Sequence, residues 1–133
     1  MNEQANITTV QQLYADFGQG KVPAILERVN PDVDWINAGP PSVPYARRRR
    51  GLGEVGEFFS TLAATVEVQS FEPKEFFASG DRVVVLGAWS GRVKATGKPF
   101  ASDWSMAWTL KAGKVTSFRS YEDTHAIATA FGA

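Results

Sequence analysis

Ser120, Glu122, Asp123 and His125 crowd into the eight residues "FRSYEDTH", at positions 118–125. A serine–histidine–acid relay would need His125 beside a serine such as Ser120, and no nucleophile-elbow signature supports one. His125 is the single histidine and there are no cysteines. Histidine-rich metal sites, thiolate zinc sites, iron–sulfur clusters, disulfides and cysteine nucleophiles are therefore excluded. A lone histidine at a helix start reads as a surface or capping neighbour, although its titration near neutral pH keeps a catalytic role open. Asp123 reads as the cap of a final helix.

Arg47 to Arg50 form the sharpest charge feature, between a proline-rich loop and an apolar periodic run. Lys+Arg and Asp+Glu each total 14, so the formal net charge is zero. A dedicated nucleic-acid binder carries a basic excess, because phosphate neutralisation supplies most of its affinity. No nucleic-acid partner is expected on that ground. "GLGEVG" matches a dinucleotide-binding fingerprint by letters only, since no strand of a βαβ unit leads into it.

These groups need a scaffold. At 133 residues, 44% hydrophobic, the chain suits one globular domain with a core of its own. Val10, Leu13, Tyr14 and Phe17 in "ITTVQQLYADFGQG" have helical spacing, with Thr8 or Thr9 as start and Gly18 or Gly20 as end. "VPAILERVNP" reads as a short helix with Pro23 in its first turn, stopping before Pro31. "DVDWIN" is a strand, followed by a Gly/Pro loop from Ala38 to Pro44. A third helix spans Gly51 to Thr65, with Val55, Phe58, Phe59 and Leu62 as its stripe.

Four long strands follow: "VEVQSFEPKEFFAS", "RVVVLGAWSGRVKA", "FASDWSMAWTL" and "VTSFRSYED". Their alternation and glycine turns argue for antiparallel pairing. "THAIATAF" closes the chain as a helix. Helices followed by strands predict an α+β fold, three helices enclosing an apolar, cone-shaped space against a curved sheet. The amino-terminal residues lack a basic, then apolar, signal pattern, and no apolar run reaches membrane length. The expectation is a cytoplasmic protein with no membrane partner.

The order of "VQQLYADFGQGK", "PDVDWINAG", "RGLGEVGEFFSTL", "SGDRVVVLGAWSG", "TGKPF", "WSMAWTLKAGKV" and "RSYEDT" resembles the ketosteroid-isomerase-like superfamily, also named after nuclear transport factor 2. Within it, the chain is most similar to the SnoaL-like group, as one domain over residues 1–133. The resemblance implies an α+β cone, or barrel, with three N-terminal helices packed on a curved, mostly antiparallel mixed sheet. It further implies a pocket on the concave face and a homodimer through the outer face. The superfamily hosts isomerases, cyclases, dehydratases, hydrolases and binding modules, so fold alone does not assign activity.

In ketosteroid isomerase a carboxylate moves a proton while a tyrosine and a protonated acid hold the oxyanion. By that resemblance Tyr14 matches the tyrosine, and otherwise it is a core aromatic with a satisfied hydroxyl. The base position falls on Asn37, an amide without useful basicity. Asn37 either hydrogen-bonds ligand or water, as a similarly placed asparagine does in epoxide-hydrolase relatives, or bonds its own loop. The oxyanion acid falls on Met106, which does neither acid nor base work but packs around irregular apolar ligands.

The same matching turns Trp108, Leu110, Phe118, Ser120 and Glu122 inward, with Asp103 on the opposite face. Phe17, Trp35 and Phe59 join the expected pocket wall, whereas the face of Trp89 stays open because "VVVLGAW" does not alternate cleanly. Glu122 is the remaining acid/base candidate, its proton affinity raised at an apolar pocket edge; the competing reading is a solvated strand-end carboxylate. Together these residues imply a mainly apolar, oxygen-bearing small-molecule ligand and, in an enzyme, cofactor-free isomerisation, dehydration or hydrolysis. The alternative is a non-catalytic binding or dimerisation module. The arginine run then belongs to the pocket rim, as a solvated loop paired with Asp34, Glu54 or Glu57, or with one arginine turned inward on a substrate anion.

Overall fold

The computed structural model describes residues 2–132. Its first helix, α1, runs Glu3–Gly18, followed by α2 (Val22–Glu27), β1 (Val29–Asn37), β2 (Arg48–Arg50) and α3 (Gly51–Thr65). Four strands complete the sheet: β3 (Val66–Ser79), β4 (Arg82–Val93), β5 (Pro99–Lys111) and β6 (Lys114–Glu122). A last helix, α4, spans Thr124–Ala130. The sheet is open, in the order β2-β1-β6-β5-β4-β3, antiparallel except where β1 runs parallel to β6.

Three sequence expectations need correction. Thr8 and Thr9 do not start α1; it begins at Glu3, and the Thr8 hydroxyl donates back to the Gln4 carbonyl inside the helix. The polar residues before Val10 carry no apolar stripe, but Glu, Gln and Ala favour helix, and Glu3 Oε2 accepts from the Gly80 amide at 2.7 Å, tying this first turn to the β3–β4 turn. The arginine run is not a loop: Arg48–Arg50 form edge strand β2 against Asp34–Ile36. β1 also starts earlier than "DVDWIN". It accommodates Pro31 because residues 30–33 lie in an irregular stretch of the β1–β6 pairing, where a missing amide hydrogen costs no ladder bond.

Alternation decides what faces the helices. On β4, Val83, Val85, Gly87, Trp89, Gly91 and Val93 are buried, while Val84 and Leu86 are exposed on the outer face. The face of Trp89, left open by the sequence, is therefore the inner one. On β5 the even positions point inward and Asp103 is exposed, as expected. β6 changes phase midway: Thr109 pairs with Ser117 but Leu110 with Val115, so Thr116 is an extra residue in the ladder. This bulge lets Val115 and Phe118 both be buried, and it sets Phe118, Ser120 and Glu122 on the inner face.

Candidate functional site

Register builds the site as three rows across the sheet. Trp35, Phe118, Trp108 and Val83 are successive partners on β1, β6, β5 and β4. Two residues along, the row reads Asn37, Ser120, Met106 and Val85. The third reads Glu122, Trp104 and Gly87. An aromatic row, a polar row and a row containing one carboxylate thus lie side by side.

Helices α1, α2 and α3 cover these rows and leave a narrow cavity. Its volume is about 70 Å³. Tyr14, Phe17, Trp35, Asn37, Phe59, Met106, Trp108, Phe118, Ser120 and Glu122, the residues singled out from the sequence, all line it. Trp89 lines it too. His125 and Asp123 do not; the Asp123 carboxylate accepts from the Ala126 amide at 3.0 Å and caps α4.

Sequence reasoning missed Tyr45, Phe58, Leu62, Leu13, Ile25 and Phe71 as cavity residues. For Phe58 and Leu62 the signal was present, since they share the α3 stripe with Phe59. Tyr45 lies in the proline-rich loop after β1, where no periodicity marks a face, yet it is only 2% exposed.

Three hydrogen-bonded groups supply the polarity. The Trp108 indole N–H donates to the Tyr14 hydroxyl at 3.0 Å, and that hydroxyl donates to Met106 Sδ at 3.1 Å. Burial raises the Tyr14 phenol well above its ordinary range, partly offset by the Trp108 bond, so it stays neutral. A thioether is a weak acceptor, which leaves the Tyr14 proton easily redirected to a better one. Next, Trp35 Nε1 donates to Asn37 Oδ1 at 3.0 Å and Asn37 Nδ2 donates to Ser120 Oγ at 3.2 Å. Finally, Glu122 accepts from the Tyr45 hydroxyl and from Trp89 Nε1, each at 3.0 Å.

The Glu122 carboxyl is raised from 4.5 to about 6, chiefly by burial, against the two donors that favour its ionised form. Tyr45 is pushed up by burial and by the neighbouring Glu122 charge. Among the described residues no cation pairs with Glu122. An apolar chamber with a single carboxyl that titrates near neutrality is equipped for proton transfer.

The arginines divide by face. Arg47 pairs with Glu57 and Arg48 with Asp34, both exposed, and the Arg50 amide donates to Glu54. Arg49 instead points inward with its side chain fully buried. It donates to Glu57 at 2.8 Å and to the Tyr45 carbonyl at 2.6 Å, and its guanidinium lies 5.4 Å from the Phe58 ring centre. It is not among the cavity residues but supports two of them, Tyr45 and Phe58.

Comparison with known proteins agrees with this architecture. A family model of the SnoaL-like domain matches residues 10–118. An NTF2-like protein from Burkholderia xenovorans is 38% identical, covers 99% of both chains and superposes with a TM-score of 0.91. An NTF2-like protein of unknown function from Burkholderia pseudomallei is 26% identical over 97% of this chain and 98% of its own, with a TM-score of 0.86. TerC, co-crystallised with polyporic acid, is 26% identical over 97% of this chain and 99% of its own, with a TM-score of 0.85. No curated protein matches the sequence.

Proposed function

The chain belongs to the SnoaL-like domain family, and on that premise we propose that it binds a mainly apolar, oxygen-bearing small molecule in the sheet cavity and moves a proton on it with Glu122. One observation carries the reading: a carboxyl at about 6, held by Tyr45 and Trp89 in a mainly apolar wall. At neutral pH it is mostly ionised and serves as a base, with a protonated fraction large enough for the return step. Tyr14, its proton resting on a thioether, turns toward an oxygen that gains charge. Isomerisation and dehydration proceed by such proton transfers, and hydrolysis adds a water for Glu122 to activate. The co-crystal of TerC with polyporic acid supports a small-molecule occupant of the same fold.

Binding is tested by screening small aromatic compounds against the fluorescence of Trp35, Trp89 and Trp108, which line the cavity. Compounds that bind are then assayed for conversion by wild type and by Glu122→Gln. Retained binding with turnover lowered roughly 100-fold or more is expected; undiminished turnover would remove Glu122 from the chemistry. A second reading, binding without conversion, is favoured by the amide at Asn37 and the thioether at Met106, neither of which transfers protons at neutral pH. Tight binding with no product in either protein would establish it.

Self-association belongs on the outer sheet face, where Phe77, Val84, Leu86 and Tyr121 are exposed. Sedimentation of wild type against Leu86→Glu tests it, a dimer dissociating to monomers being the expected result.

A further inference from the structure

We propose that Ser120 turns its hydroxyl proton into the cavity, its direction fixed by Trp35 through Asn37, and that it favours ligands presenting a carbonyl oxygen at that wall. This rests on the reading that the cavity binds a small molecule. An indole N–H can only donate. Trp35 Nε1 lies 3.0 Å from the Asn37 side chain, so the amide must present its oxygen there. Its nitrogen then faces Ser120 Oγ at 3.2 Å, and an amide N–H also only donates. Flipping the amide would set two donors against each other, so the orientation is enforced by chemistry.

Ser120 must therefore accept from Asn37, which leaves its own hydroxyl proton to be given elsewhere. All three residues are almost fully buried, at 2%, 4% and 2% exposure for Trp35, Asn37 and Ser120, so the relay is shielded from bulk water. Asn37 and Ser120 are paired in register on the parallel strands β1 and β6, which fixes both on the cavity face. The next residue in that row, Met106, offers only a thioether, already used by Tyr14. Among the described residues no oxygen or nitrogen accepts the Ser120 proton. A ligand carbonyl oxygen accepts it without bringing a proton that would itself need a partner. The chained N–H and O–H dipoles add to one another, strengthening the terminal donor.

The test compares 1-tetralone with tetralin, the same carbon skeleton with and without a carbonyl, by quenching of the cavity tryptophans. Wild type is expected to favour the ketone by roughly threefold to tenfold. In Ser120→Ala the preference falls to about parity, and the infrared carbonyl stretch of bound 1-tetralone moves to higher wavenumber. Asn37→Asp at pH 8 supplies an acceptor where the amide supplied a donor, so Ser120 turns its proton away from the cavity and the preference falls in the same way. A ketone preference unchanged in both variants overturns the relay and leaves the binding reading standing. Failure of both compounds to bind wild type overturns the binding reading, and the relay with it.

Discussion

The Tyr45 hydroxyl donates to Glu122 Oε2 at 3.0 Å, joining the loop after β1 to the last residue of β6. Trp89 from β4 takes the other carboxylate oxygen. Both bonds favour the ionised form and oppose the burial that raises it. Tyr45→Phe removes one of them, so the carboxyl should climb further, from about 6 to roughly 7. An NMR titration of the Glu122 side-chain carbon measures this. A value that does not move would detach Tyr45 from the charge.

The same raised carboxyl makes stability depend on pH in a defined direction. Folded Glu122 binds its proton more tightly than the unfolded chain does, so its contribution is fully present below 4.5 and is lost as pH rises through about 6. The loss amounts to about 2 kcal/mol. Glu57 and Asp34 are lowered by their arginines and act oppositely, their contributions fading as pH falls. Comparing wild type with Glu122→Gln cancels those shared terms. In urea denaturation, the stability of the variant relative to wild type should increase by about 2 kcal/mol between pH 4.5 and 7.5. A flat difference across that range would contradict a buried, titrating Glu122.

Gly87 is where the sheet makes room for an aromatic ring. A Cβ there would run into the Glu72 carbonyl and the Trp104 indole, and Trp104 in turn stacks on Tyr14 at 5.7 Å and on Phe71 at 5.1 Å. Gly87→Ala should cost about 1–3 kcal/mol and disturb the cavity side of α1. Gly53→Ala is the control: nothing lies within 4 Å of its added methyl, and alanine favours the helix that holds it. Thermal melts should separate the two, with Gly53→Ala unchanged or more stable.

Arg49 should behave unlike its neighbours. Arg49→Ala removes a buried side chain that holds the Tyr45 carbonyl and packs on Phe58, and it should cost about 2 kcal/mol or more. Arg49→Lys keeps the charge but not the fork, and it should recover only part of that. Arg47→Ala and Arg48→Ala break exposed pairs and should leave the melting temperature nearly unchanged. Equal effects across the run would contradict the division by face.

Much of the architecture could be read in one dimension because it is periodic. The α3 stripe, the even positions of β5 and the Asp123 cap depend on neighbours within a few residues, so composition and spacing determined them. The resemblance then supplied the family, and with it the inward face of Phe118, Ser120 and Glu122. What joins distant segments was decided only by tertiary structure. Tyr45 reaches Glu122 across 77 positions and Tyr14 meets Trp108 across 94. No local pattern encodes either bond. Likewise, four consecutive arginines are identical as letters. Within β2, pairing with β1 turns Arg49 into the protein and Arg48 and Arg50 outward, because successive residues of a strand face opposite sides, while Arg47 lies before the strand.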